Sequence, residues 1–395
     1  VVDKSGNVVK SLALIINVNS HSLPTVANQK FHLDFWQQPY AVSRYYGVER
    51  WSDEHLDALR PYLAALGRAG QRVVSAILFY EPWGEQTHDL FDPMVQTVKK
   101  ADGTWAYDYT VFDKYVELCA EYGIDKQINC YSMIPWALNF PYYDVATNRM
   151  QTVKAAPGDA AYEAMWVPML KAFSKHLREK GWFSITCIGM DERPMKAMQK
   201  AIEVIRKADP EFKVALAGNY HPEIEADLYD YCVALNQGSK LSQEVLERRQ
   251  REGKNTTFYT CCAEYQPNTF TFSVPVEGAW YGFHAAHVGY DGYLRWAYNS
   301  WVTDPLHDTR FRQWAAGDTY IIYPYGRSSV RFEKVIEGIQ AYEKIRVLRE
   351  KFTAEGNTAK LAELDELVKP FDLESQHCKD FPAMLTEARN KLNAF

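Results

Sequence analysis

The chain has 395 residues, 47% of them hydrophobic and 24% charged, an ordinary globular composition with room for one large barrel with additions or for two domains. A net charge of −6, without any run of Lys and Arg, gives no general attraction to nucleic acid or to an anionic membrane. No stretch is apolar for long enough to span a bilayer, and no signal peptide is legible, which leaves the compartment open.

Val1 to Leu23 contains one alternating run, Leu12 to Val18, which cannot form a stable sheet by itself. It reads as the end of a preceding β-domain or a linker, with a boundary near residue 28. From Phe31 onward strands and helices alternate. Strand one is Phe31 to Trp36, followed by a helix from Ser52 to Ala69 with Ser52 as N-cap and Gly70 as the stop. Strand two, Val73 to Phe79, leads through a long aromatic connection to a helix from Thr110 to Tyr122. Strand three, Gln127 to Ser132, leads through a loop past Trp136, Tyr142 and Tyr143 to a helix from Ala160 to Lys180.

Strand four, Ser184 to Met190, is a short apolar run with β-branched residues. The helix after it, Met195 to Ala208, places Met195, Met198, Ile202 and Ile205 on one face, and Pro194 suits its first turn. Strand five is Lys213 to Ala217, and strand six is Tyr229 to Leu235 with a helix from Ser242 to Glu252. Strand seven is Thr256 to Cys262, then a helix from Val276 to Val288. Strand eight is Gly292 to Trp296, and a last helix runs from Ser328 to Lys351. Eight strand–helix pairs match an α/β fold of the (β/α)8 TIM-barrel type over residues 29–351. An open doubly wound sheet is disfavoured, because no Gly-rich nucleotide loop follows strand one. Two helices beyond residue 352, Thr358 to Lys369 and Pro382 to Phe395, form a C-terminal extension.

In such a barrel the residues just past each strand build the catalytic face. Asp191 and Glu192 stand there after strand four, although a helix N-terminus also favours acids on purely structural grounds. Trp36, Glu81, Trp83, Trp136, Asn219, Tyr220, His221, Asn236, Glu264, Asn268, Asn299, Trp301 and Asp304 gather at the same rim. Amides and carboxylates bind hydroxyls while indoles pack the apolar face of a ring, which is the chemistry of a sugar site. The abundance of 11 Trp, 26 Tyr and 19 Phe suits it, although most aromatics in any protein are core.

Metal and nucleophile alternatives are weaker. The sequence His32-Leu33-Asp34 lacks the His-x-His of a metal-dependent hydrolase, and His32 reads as a satisfied barrel-interior residue. No Gly-x-Ser-x-Gly motif is present. None of the seven cysteines has zinc-site spacing, so no metal or cofactor is expected. Cys130, Cys187, Cys232, Cys261 and Cys262 fall in predicted strands, where a buried thiol is the default, and the adjacent Cys261 and Cys262 read as packing.

Several stretches resemble glycoside hydrolase family 123. They are Met190-Asp-Glu-Arg-Pro194, Asn268-Thr-Phe-Thr-Phe-Ser273, Gly292-Tyr-Leu-Arg-Trp-Ala-Tyr-Asn-Ser-Trp301, Gly317-Asp-Thr-Tyr320 and Ser328-Ser-Val-Arg-Phe-Glu333. The resemblance covers roughly Leu23 to Arg349 and implies a β-N-acetylgalactosaminidase whose barrel follows a β-sandwich. By family habit it would work in the periplasm or at the surface of a glycan-degrading bacterium, on a glycan ending in N-acetylgalactosamine. It implies a retaining, substrate-assisted mechanism with Glu192 as general acid/base and Asp191 orienting the 2-acetamido group, an exception to the two-carboxylate rule. An ionised Asp191 is expected to raise the pKa of Glu192. Successive strand side chains point oppositely, so the backbone must leave the strand by Asp191 for both to face one substrate.

From rim position, Trp296 and Trp301 are expected under the sugar, Asn219, Asn299 and Asp318 on hydroxyls, and Tyr131 or Tyr259 on the acetamido oxygen. Two other readings stay open: a two-carboxylate glycosidase with Glu264 as nucleophile, and a glycan-binding barrel without catalysis.

Overall fold

The computed structural model describes residues 1–16, 18, 21–373 and 380–395. Its centre is an eight-stranded, all-parallel sheet that curls into a barrel. The first strand, β1 (His32–Phe35), leads into a short helix, α1 (Pro39–Tyr46), that the sequence did not announce, and then α2 (Asp53–Ala69). The α2 ends are those expected: the Ser52 hydroxyl accepts from the His55 N–H at 3.2 Å, and Gly70 closes the helix at φ 88°, a left-handed conformation that suits a residue without Cβ.

The next barrel strand, β2 (Val73–Ile77), is followed by two strands outside the barrel, β3 (Gln96–Lys99) and β4 (Trp105–Asp108), and by α3 (Thr110–Ala120). Likewise β5 (Gln127–Tyr131) is followed by β6 (Asn139–Asp144) and β7 (Arg149–Lys154) before α4 (Ala160–Lys180). These four extra strands make a separate sheet in the order β4-β3-β6-β7, with β3 and β6 parallel and both hairpins antiparallel. It stands where the sequence reading placed two loops. Its strands are only four to six residues long, mostly half-exposed, and pair segments far apart in the chain, so no local alternation marks them.

The barrel continues with β8 (Thr186–Met190), α5 (Met195–Ala208), β9 (Lys213–Gly218), β10 (Asp230–Ala234), α6 (Gln243–Arg251), β11 (Asn255–Tyr259), α7 (Glu277–Val288), β12 (Gly292–Arg295) and α8 (Val330–Ala354). All eight expected strands are present, within a residue or three of the expected ends. The largest trim is at strand seven, which stops at Tyr259, so Cys261 and Cys262 lie beyond the strand. The sheet order is β1-β12-β11-β10-β9-β8-β5-β2, that of a (β/α)8 barrel. Polar side chains fill its lower interior. Asp230 Oδ2 accepts from Gln127 Nε2 at 2.5 Å, and His32 Nε2 stands 3.5 Å away from the same carboxylate. His32 is thus an interior residue, as expected.

Between β1 and β2 the barrel is closed by a backbone bridge of Leu33 with Gln71, where the Arg72 N–H donates to Leu33 O at 3.0 Å, and by side chains acting as peptide groups. Gln71 Oε1 accepts from the Phe35 N–H at 2.9 Å, and its Nε2 donates to Phe35 O at 3.1 Å and Val73 O at 2.7 Å. Gln37 adds a donor to Val73 O and an acceptor for the Ser75 N–H. These amides satisfy backbone groups that a direct ladder would otherwise pair.

On the outside, α7 and α8 cross at their glycines. A Cβ on Gly282 would lie 1.8 Å from Gly338 O, so neither position admits a side chain at this separation. The C-terminal helices α9 (Thr358–Val368) and α10 (Phe381–Ala394) pack against α7 and α8, with the Phe371 ring stacked on Phe283 at 4.5 Å. The expected strand Leu12 to Val18 is not formed by its described residues. Leu12, Leu14, Ile15, Ile16 and Val18 are exposed, and Asn17 lies outside the described residues. Upstream of that run an isolated antiparallel bridge pairs Val2 with Val8.

Replacing Gln71 with Ala leaves the buried Phe35 N–H without its partner. The expected loss is about 1–3 kcal/mol, read as a lower midpoint in urea unfolding. An unchanged midpoint would mean that the amide does not close the barrel.

Candidate active site

At the C-terminal end of the strands, β8 stops at Met190 and the chain turns before α5 begins at Met195. Asp191 and Glu192 occupy that turn, and both line one cavity of about 250 Å³. The demand that the backbone leave the strand by Asp191 is therefore met. Gly218 at the end of β9 faces Glu192, where a Cβ would come 3.4 Å from Glu192 Cγ, an ordinary contact.

Arg193 locks the turn. Its Nε donates to Ile134 O and its Nη1 to Glu192 O, each at 2.8 Å, while Nη2 lies 3.2 Å from Asp191 Oδ1. The guanidinium also sits 4.0 Å over the Trp136 ring, a contact that orders the indole. Burial pushes the Asp191 carboxyl up to about 7, with Arg193 opposing the shift and Glu192 adding to it. The raised group on which this shift falls is thus the buried Asp191. Glu192, more exposed, takes the hydroxyl of Tyr259 on Oε1. Burial and the Glu192 charge in turn raise the Tyr259 pKa, so it remains a donor.

Indoles wall the rest of the cavity: Trp36, Trp83, Trp136, Trp296 and Trp314. Trp36 and Trp83 stack at 5.0 Å. Trp296 is held by its Nε1, which donates to Asp318 Oδ1 at 3.2 Å. A second, open groove of about 710 Å³ adjoins the first, shares Glu192 and Trp136 with it, and is lined by Ile134, Leu138, Met198, Leu216 and Asn219 among others. Glu192 thus stands between a smaller, aromatic chamber and a wider groove.

The residues expected at the site divide clearly. Asp191, Glu192, Tyr259 and Trp296 share the chamber, and Asn219 lines the groove. Tyr131 is enclosed behind the wall, with its ring 4.7 Å from Trp36. Asp318 is fully buried and serves Trp296 and Arg295, the latter at 2.7 Å. Tyr131 and Asp318 are thus corrections to the expected sugar contacts, and two further placements are corrected as well. Trp301 is wholly buried, with Nε1 donating to Ile322 O at 2.9 Å and its ring packed on Tyr62. Asn299 is spent on the backbone of Gln38, accepting at 2.9 Å and donating at 3.2 Å. Both belong to the loop after β12, whose path cannot be read from local pattern. Sequence reasoning missed Trp314 and Gln86, which lie on long loops without periodicity, and assigned Cys261 and Cys262 to packing although both line the chamber. Among the described residues no cluster of three or more His, Cys, Asp or Glu is arranged to hold a metal ion.

A parallel-stranded barrel with paired carboxylates and an indole chamber at its C-terminal face defines a carbohydrate-active enzyme scaffold. The model of the glycoside hydrolase 123 catalytic domain matches residues 36–348, and the chain belongs to that family. It is a glycosidase. Among solved structures, it is similar to a family 123 glycoside hydrolase from Clostridium perfringens, described for glycolipid glycan hydrolysis. The TM-score is 0.83 at 28% identity, covering 94% of this chain and 72% of that one. An exo-β-1,4-mannosidase from an Opitutaceae bacterium has a TM-score of 0.44 at 12% identity, over 81% of this chain and 60% of that one. A maltogenic α-amylase from Thermotoga neapolitana has 0.43 at 13%, over 80% and 77%. No curated protein matches the chain.

The raised Asp191 has a consequence for stability. Its carboxyl rises from an ordinary value of 3.8 to about 7 on folding, so the folded state binds a proton the unfolded state has already lost. The contribution of this group to stability is therefore fully present below about pH 4, is lost as pH rises toward 7, and stays lost above it. Asp191→Asn removes that loss. The variant is expected to match the parent near pH 4 and to exceed it by about 2–4 kcal/mol above pH 7, measured by denaturant unfolding across pH. A constant difference at all pH values would contradict the assignment.

Proposed function

We propose that the protein removes β-linked N-acetylgalactosamine from glycans by a retaining, substrate-assisted mechanism. The observation that carries this reading is the shared chamber of Asp191 and Glu192. One small aromatic chamber suits a single sugar residue, and the groove beyond Glu192 suits the leaving group.

In this reading Glu192, at the junction of chamber and groove, protonates the glycosidic oxygen as that bond breaks. The carbonyl oxygen of the substrate's 2-acetamido group attacks C1, giving an oxazolinium ion. Asp191 accepts a hydrogen bond from the acetamido N–H and offsets the positive charge that develops on the ring. Arg193 favours the ionised form of Asp191 that this task requires. Tyr259, which donates to Glu192 in the free protein, is the chamber's donor for the acetamido oxygen. Glu192, now ionised, then takes a proton from the water that opens the oxazolinium with net retention. Because the substrate brings its own nucleophile, no second carboxylate is needed at nucleophile distance.

The two-carboxylate alternative is less well supported. Glu264 is directed at the backbone, its Oε2 accepting from the Cys261 N–H at 2.9 Å, and it lies outside the chamber wall. A purely binding barrel has no need of a buried carboxylate raised toward neutrality, which costs stability at working pH.

The test is release of p-nitrophenol from the β-N-acetylgalactosaminide, with the N-acetylglucosaminide and plain galactoside as controls. Turnover is expected on the first substrate alone, and Glu192→Gln and Asp191→Asn are each expected to lower kcat by about 100-fold or more. Equal turnover on the plain galactoside would sink the acetamido mechanism. The acid limb of kcat/KM is expected near pH 7, where the Asp191 carboxyl titrates in the free protein, and it should be absent from whatever residual activity Asp191→Asn retains. Tyr259→Phe removes a donor but no charge, so about a tenfold loss in kcat is expected, measured on the same substrate.

A further inference from the structure

We propose that Cys261 and Cys262 form a redox-responsive dithiol in the wall of the sugar chamber, which a small disulfide such as oxidised glutathione closes to a disulfide between adjacent residues, slowing the glycosidase. The effect on turnover rests on reading that chamber as the catalytic one, whereas closure of the ring does not.

The two residues follow the end of β11 and line the chamber together with Asp191 and Glu192. They differ from the other described cysteines. Cys119, Cys130, Cys187 and Cys232 are buried, whereas Cys261 is half-buried and Cys262 is exposed. Their thiols interact: hydrogen bonding from Cys261 lowers the Cys262 thiol to about 7, and the same interaction raises Cys261. A thiol that titrates near ambient pH attacks disulfides most effectively, and its neighbour is placed to resolve the product.

The steps balance. The Cys262 thiolate attacks one sulfur of the small disulfide, forming a mixed disulfide and releasing one thiolate. Cys261 gives its proton to solvent and attacks the Cys262 sulfur, releasing the second thiolate. Two protein thiols are oxidised by two electrons in all, and one small disulfide is reduced to two thiols. Adjacent Cα atoms stand only about 3.8 Å apart, below the usual disulfide span of about 4.4–6.8 Å. The ring is therefore strained and easily reduced, which makes the change reversible.

Closure reaches the reacting groups because Cys261 is clamped on both sides. Its N–H donates to Glu264 Oε2 at 2.9 Å and its carbonyl accepts from Asn268 Nδ2 at 2.8 Å. Asn268 Oδ1 accepts from Arg295 at 3.0 Å, and Arg295 and Trp296 both donate to Asp318. Turning the backbone at Cys261 to close the ring strains this chain, which positions Trp296. Two residues upstream stands Tyr259, whose hydroxyl is on Glu192.

The experiment uses the full chain carrying Cys378→Ser, since Cys378 lies outside the described residues. The protein is equilibrated with graded ratios of oxidised to reduced glutathione, remaining thiols are alkylated, and peptides are mapped by mass while kcat/KM is followed. The expected result is a Cys261–Cys262 link, seen as loss of two hydrogen atoms from one peptide. A fall in kcat/KM of about tenfold or more should accompany it and be restored by dithiothreitol. Cys262→Ser, compared with its own untreated activity, is expected to lose nothing on oxidation. A stable glutathione adduct without the link, or a link that leaves kcat/KM unchanged, would overturn the proposal. An untreated enzyme without turnover would instead count against the proposed reaction, with the peptide map still reporting on the dithiol.

Discussion

Two adjacent residues on a strand face opposite ways, so a pair of neighbouring carboxylates can serve one ligand only where the strand has ended. In this protein β8 ends at Met190, one residue before Asp191, and the geometry of the chamber follows from that exit. Asp191 is carried into the buried wall and Glu192 to the opening between chamber and groove. Arg193 then holds the turn by two backbone carbonyls and by Asp191 itself. The same guanidinium lies over Trp136, so the carboxylate pair and an indole shared by both cavities are set by one side chain.

The opposite burial of the two acids separates their chemistry. A carboxyl out of contact with water resists ionisation, and the nearby guanidinium, with smaller help from the Trp136 side chain and the backbone, works against that. Glu192 stands exposed at the opening, with Tyr259 donating to its carboxylate. The pair is thus asymmetric although its members are neighbours in sequence.

The far wall is built differently. There the chamber is lined from the loops after β11 and β12, and these loops are held by buried polar side chains rather than by strand pairing. Arg295 and Asp318, both fully buried, form the centre of that frame. Asn268 ties it to Cys261, and Trp296 hangs from Asp318. A buried ion pair of this kind is costly to desolvate, and Arg295 Nε and Asp318 Oδ2 are left without a hydrogen-bond partner. It fixes the position of the indole more firmly than apolar packing alone would. The kinship with family 123, at 28% identity over most of the chain with a TM-score of 0.83, places this frame in a recognisable scaffold while leaving the sugar preference to be tested.

The barrel was legible in the amino-acid sequence because most of its strands are short runs rich in apolar and β-branched residues, followed by turn residues, and most of the long helices carry their own periodicity and stop signals. Ser52 and Gly70 bracket α2, and Met195 to Ala208 was readable to the residue, since these signals are local. Asp191 and Glu192 were legible too, because the end of a barrel strand marks the functional face. The four-stranded sheet, the burial of Trp301, the spending of Asn299 on the Gln38 backbone and the exposure of Cys262 were not. Each depends on where a long loop returns, and on which distant partner satisfies a polar group, neither of which leaves a periodic trace in the chain. Local pattern by itself determined the strands, the helices and the place of the acids. Only tertiary packing decided which indoles face the chamber, because that choice is made between loops that meet in space and not in sequence.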